Sequence, residues 1–225
     1  MNAKAAVKGQ VVVERQNLQS LLEALRKRDY DLIGPTLQNG AIIFDAIATV
    51  DDLPAGWTDE HDGGMYRLKK TGQPWLFRFN NGPHSCKKYL YPAQLLLCRI
   101  HRSGRHLDVA TPPNPPRQTA FIGIHSCDLR AAAIMDKVCS GGPYAAPGYF
   151  GPLSSCFFVA LNCIKAGGTC FCASMKTGPK AESGFDLALT EVLEDNRHFF
   201  VVEIGSEKGG EPGRSRKRRP PDCGG

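Results

Sequence analysis

Apolar and polar positions follow different rhythms in successive parts of this chain. Over residues 16–28, Leu18, Leu21, Leu22 and Leu25 recur at i, i+3, i+4 and i+7. That is one face of an amphipathic helix, and Arg26, Lys27 and Arg28 at its carboxyl end suit the helix dipole. Residues 31–35 and 41–44 are short apolar runs on either side of Asn39-Gly40, which predicts a strand pair around a tight turn. Residues 52–57, containing Pro54 and Gly56, read as a turn-rich loop. Two further strands are predicted at 65–68 and 75–79, the second alternating Trp75, Phe77 and Phe79 and closed by Asn80 and Asn81. Gly82-Pro83 opens a turn that runs into a short helical or extended piece with Lys87 and Lys88 on a solvated face.

The rhythm changes after residues 111–116, Thr-Pro-Pro-Asn-Pro-Pro, which cannot be helix or central strand because proline lacks the backbone donor. This stiff connector is the natural boundary in the chain. Beyond it come an apolar run at 119–124, an alanine-rich helical stretch at 128–138, a Gly/Pro/aromatic loop at 141–152, and a β-branched and aromatic run at 156–161. Strands at 185–190 and 199–204 complete the pattern. The fold class expected is α/β: an α+β N-terminal part over 1–110, then a strand–helix–strand part over 117–208 with a mixed sheet. Residues 209–225 read as a disordered basic tail, whose lack of interleaved aromatics argues against nucleic-acid binding.

Composition narrows the class. The chain has 225 residues, enough for a sizeable core, and no apolar run near the roughly 20 residues of a membrane span. The first residues lack the apolar region of an export signal, so a cytoplasmic protein is expected. The formal charge is +6. Half of it lies in the tail, where Arg214, Arg216, Lys217, Arg218 and Arg219 face only Glu211 and Asp222. The remaining charge singles out no partner.

Nine cysteines are many for a chain of this kind, and without export they point to metal or redox chemistry rather than disulfides. Cys98, Cys139 and Cys156 have apolar neighbours and read as buried side chains. Cys163, Cys170 and Cys172 fall within ten residues, just after the 156–161 run. Cys127 comes after the 119–124 run in the same way. If those two strands are parallel neighbours, all four thiols emerge at one carboxyl edge, where open α/β sheets hold ligands. Four thiolates there make a soft site for an iron–sulfur cluster or zinc. Gly167 and Gly168 allow the backbone close to a ligand, and their amides are candidate donors to cluster sulfides. Two other readings stay open: structural cysteines, and thiol catalysis by Cys127 at a helix N-terminus with His125 as base.

Several segments resemble a known family. They are Ile122-Gly123-Ile124-His125-Ser126-Cys127-Asp128-Leu129, Leu161-Asn162-Cys163, Thr169-Cys170-Phe171-Cys172-Ala173-Ser174-Met175 and Thr177-Gly178-Pro179. Shorter stretches at 53–57, 66–68, 82–85 and 202–206 add to them. Together they resemble the β-subunit family of soluble nickel–iron hydrogenases (sulfhydrogenases), which also takes in a related component of anaerobic sulfite reductase. The resemblance implies an electron-transfer subunit. It would carry electrons through [4Fe–4S] clusters, from a redox subunit that binds flavin or nicotinamide to a catalytic nickel–iron or sulfite-reducing subunit. Such proteins usually continue into a ferredoxin-like region with two C-x2-C-x2-C-x3-C-P runs, which this sequence lacks, as a truncated or frameshifted reading frame would. Cys86 and Lys176 also depart from the family pattern, which tends to have an aromatic and a glycine there. The cluster implied for this chain is one, ligated by Cys127, Cys163, Cys170 and Cys172. The competing expectations are a non-redox assembly module with zinc or no metal, and a thiol enzyme using Cys127.

Overall fold

Seven strands make one mixed sheet in the order β1-β11-β10-β9-β8-β2-β3, seen in a computed structural model that describes residues 9–80, 82, 84–94, 96–110, 118–140, 143, 146, 149, 153–195 and 197–210. Its elements are β1 (Gln10–Glu14), α1 (Leu18–Arg26), β2 (Asp31–Gln38), β3 (Ala41–Ala46), β4 (Trp57–Asp62), β5 (Met65–Lys70), α2 (Lys87–Leu90), β6 (Arg99–Ser103), β7 (His106–Ala110), β8 (Thr119–His125), α3 (Ser126–Ser140), β9 (Phe157–Leu161), α4 (Cys172–Met175), β10 (Leu187–Glu194), β11 (Arg197–Ile204) and α5 (Glu207–Gly210). The α/β class stands. β2, β8, β9 and β10 run parallel through the middle, while β3, β11 and β1 add antiparallel edges. β2 and β8, from either side of residues 111–117, are hydrogen-bonded neighbours. The connector, most of the 141–152 loop and the tail beyond 210 lie outside the described residues.

The sheet is buried on both faces, which is why its middle strands read as continuous apolar runs. One face packs Ala120, Ile122, Val159 and Leu189 under Leu18, Leu22 and Leu25 of α1. The other packs Phe121, Ile124, Phe158 and Ala188 against Leu129 and Ala132 of α3. Each fully buried leucine of α1 contributes about 1.5–3 kcal/mol. A bulge at Gly123 (φ +74°) breaks the register between β8 and β9, so Ile122 and Ile124 end up on opposite faces. An extra residue in a strand re-aims the side chains beyond it. Here the bulge turns His125 toward the α1 face, where its ring meets Phe79 edge-on at 6.1 Å.

Three expectations need correction. Residues 75–79 are not a strand: the backbone N–H groups of Leu76 and Phe77 donate to the Glu191 carboxylate at 2.7 and 2.8 Å, so a side chain replaces the ladder. Leu76, Phe77 and Phe79 are buried while Trp75 is only partly covered. β5 pairs with β4, a polar strand that begins at the last residue of the predicted 52–57 loop. Cys98, predicted to be buried, is exposed just before the hairpin of β6 and β7, whose residues are all exposed; Cys139 is only partly covered, and Cys156 is buried.

Candidate cysteine site

The parallel pairing of β8 with β9, Ala120 opposite Phe157 through His125 opposite Leu161, sends both chains out at the same sheet edge. From there β8 passes straight into α3, which carries Cys127 in its first turn. β9 passes into the 162–181 loop, which returns to the sheet under tight control. Asn162 holds it from inside: its N–H donates to Leu189 O at 2.9 Å, its amide nitrogen to Thr190 Oγ1 at 2.8 Å, and its Oδ1 accepts Ala181 N–H at 2.9 Å. Cys163 N–H donates to Pro179 O at 3.1 Å, closing the loop's neck. Gly178 lies where the loop meets α3. A Cβ there would stand 2.5 Å from Ser126 Oγ, so glycine lets the loop pack closely on the start of α3.

The predicted cysteines influence one another pairwise. The Cys172 sulfur acts on both Cys127 and Cys163, and Cys170 acts on Cys163. Each thiol also has local business. Cys163 Sγ–H donates to Lys165 O at 3.0 Å; Cys170 Sγ accepts Gly167 N–H at 3.2 Å and donates to Asn80 Oδ1 at 3.7 Å. Among the described residues, no three His, Cys, Asp or Glu side chains stand in a metal-ligating arrangement. The donor set still suits a soft metal or cluster in number and kind, and an N–H···S bond of the sort that surrounds cluster ligands is already made.

Burial decides the thiol chemistry. Although Cys127 is exposed as a residue, burial of its sulfur pushes the thiol up to about 12, and the neighbouring Asp128 carboxylate adds to the rise. The backbone N–H groups of the helix start pull the other way and lose. Cys163 is raised as well, again by burial first. Burial also takes His125 down to about 4, and its ring donates to Phe79 O on the α1 face, away from α3. A thiol held protonated, with no base beside it, is a poor nucleophile. The expectation of thiol catalysis at Cys127 finds no support in this geometry.

Sequence reasoning missed the residues that hold the loop in place. Asp59, fully buried at the centre of β4, accepts the Asn80 N–H on Oδ1 at 2.7 Å and the His61 Nδ1–H on Oδ2 at 2.6 Å. Lys165 Nζ donates to Thr58 Oγ1 at 2.8 Å and to Asp59 O, and stands 3.9 Å from Asp59 Oδ1. The His61 ring fills the space over Gly167, where a Cβ would lie 2.0 Å from the ring, and His61 O accepts Gly168 N–H at 3.0 Å. The two glycines therefore fold close around His61. Only the Gly167 amide faces a cysteine sulfur. The signal available beforehand was the Asp59-Glu60-His61 spacing, which puts an acid and an imidazole on one face of a strand.

No family model matches this chain, and no solved structure matches it. A curated relative does: sulfhydrogenase 2 subunit beta of Pyrococcus furiosus is 36% identical over 91 residues, which are 40% of this chain and 25% of the relative. The match thus spans a quarter of that protein's length. No helix among the described residues is long and apolar enough to cross a membrane.

Proposed function

We propose that this chain is an electron-transfer subunit of a multi-subunit oxidoreductase, of hydrogenase or sulfite reductase type, in which Cys127, Cys163, Cys170 and Cys172 hold one [4Fe–4S] cluster. The observation that supports this reading is that β8 and β9 leave the sheet at one edge, the first into the turn bearing Cys127 and the second into the loop bearing Cys163, Cys170 and Cys172. The similarity to a sulfhydrogenase β subunit supports it. When bound, the cluster would take up and give back single electrons.

The chain's own residues would ligate, orient and shield. The four thiols would lose their protons on ligation, the positive charge of the bound iron offsetting the desolvation that holds Cys127 and Cys163 protonated. Gly167 N–H would keep its bond to Cys170, and Lys165, pinned to β4, would hold the loop in place. Phe171, 70% exposed between two of the cysteines, offers an apolar face for a redox partner. The partners are a flavin- or nicotinamide-binding subunit on one side and a nickel–iron or sulfite-reducing subunit on the other, in the cytoplasm.

The test is anaerobic purification, then iron and sulfide analysis and EPR after reduction. The expected result is about four iron and four sulfide per chain with a reducible signal. Zinc without a signal would favour an assembly module. No metal, with all four thiols freely alkylated, would end the reading.

A further inference from the structure

We infer that Asn80 is a positioning residue for the electron affinity of this site: its buried amide lies beside Cys170, and Nδ2, without a partner among the described residues, donates a hydrogen bond to the Cys170 sulfur when that sulfur ligates the cluster. This rests on the iron–sulfur reading and adds a residue that neither the cysteine motif nor the similarity supplies.

Asn80 is 7% exposed and held by its own backbone, whose N–H donates to buried Asp59. Its two amide atoms are unequally served. Oδ1 takes the Cys170 S–H at 3.7 Å, while Nδ2 is buried with no hydrogen-bond partner among the described residues. Buried amide donors are rarely left unpaired, and each one is costly. The arrangement suits a protonated thiol alone. With Cys170 ligated there is no S–H to donate, a carbonyl oxygen faces the sulfur, and the amide nitrogen still lacks an acceptor. A half-turn about the terminal torsion cures both faults, because it exchanges the oxygen and nitrogen positions while the rest of the side chain stays put. Cys170 then receives two N–H···S bonds, from Gly167 and from Asn80. The oxygen left in the other position is the less costly orphan.

The consequence is directional. An electron entering the site breaks no bond and adds negative charge that the sulfurs share. N–H donors favour the reduced form, so removing one lowers the reduction potential. Asn80→Leu keeps the approximate volume and deletes the donor; Asn80→Ser keeps a hydroxyl of shorter reach and is the milder change should leucine prevent folding.

EPR-monitored redox titration of wild-type and variant chains, each with iron quantified, reads the effect. At fixed solution potential the reduced-to-oxidised ratio should fall about tenfold in Asn80→Leu, about 59 mV for a one-electron couple. It should fall less in Asn80→Ser. Iron-loaded variants that titrate with the wild type overturn the Asn80 inference and leave the cluster reading intact. Variants that lose iron while the wild type keeps it also overturn it, since Asn80 would then be holding the site together. A wild-type chain without iron removes both readings.

Discussion

Asp59→Asn is the change that most directly tests how the cysteine loop is held. The carboxylate is fully buried and serves three elements: Asn80 N–H on Oδ1, His61 Nδ1–H on Oδ2, and the Lys165 ammonium at 3.9 Å. Asparagine has the same shape but only one acceptor oxygen, so with that oxygen on Asn80 N–H the His61 ring faces an NH2 group and has to carry its proton on Nε2 instead of Nδ1. Losing a hydrogen bond to a charged acceptor costs about 1.5–3 kcal/mol, and an unsatisfied buried donor about 1–3 kcal/mol. The two overlap, and Lys165 is partly solvated, so its share is small. The net loss expected is about 2–4 kcal/mol. With a urea slope of about 2 kcal/mol/M, the unfolding midpoint falls by about 1–2 M. Alkylation of Cys163 and Cys170 should quicken in parallel, since the loop loses its anchors on β4. The control is Lys69→Ala on the same hairpin, which removes an ion pair with Glu60 between two half-exposed groups. That change should cost under about 1 kcal/mol. If Asp59→Asn costs no more than the control, with thiol reactivity unchanged, the anchoring account is wrong.

Other perturbations give separate checks. Gly167→Ala drives a methyl group into the His61 ring, so it should destabilise by about 1–3 kcal/mol, while His61→Ala should largely relieve it; urea melts of both singles and the double should show a coupling of about 0.5–3 kcal/mol. Glu191→Gln leaves one of its three donors (Leu76 N–H, Phe77 N–H, His198) facing an amide NH2, and a loss of about 1–3 kcal/mol in the same melts is expected. Burial raises the Cys86 thiol from 9.0 to about 12, so the folded chain keeps a proton that the unfolded chain releases above 9.0. That stability is complete below pH 9.0 and drains away between there and about 12. It amounts to about 1.4 kcal/mol by pH 10, a dependence that Cys86→Ala should flatten in pH-resolved melts.

Local pattern carried much of the fold. α1, the β2–β3 pair, β8, α3, β9 and β11 declared themselves because each buries a continuous face whose period is legible along the chain. The cysteine spacing, read with two parallel strands in mind, pointed to the sheet edge where β8 and β9 both leave the sheet. β4 escaped notice because Trp57-Thr-Asp-Glu-His-Asp62 has no apolar rhythm; its inward position is a carboxylate. The 75–79 segment misled for the opposite reason. Its aromatics have a strand's rhythm, but Glu191, more than a hundred residues later, takes the backbone donors a strand would need. Sequence by itself determines which side chains can bury or ligate, since that is a property of composition and period. Only the folded chain decides which distant groups share a site. Asp59, His61, Asn80 and Lys165 come together through long-range hydrogen bonds that leave no periodic trace in the order of residues.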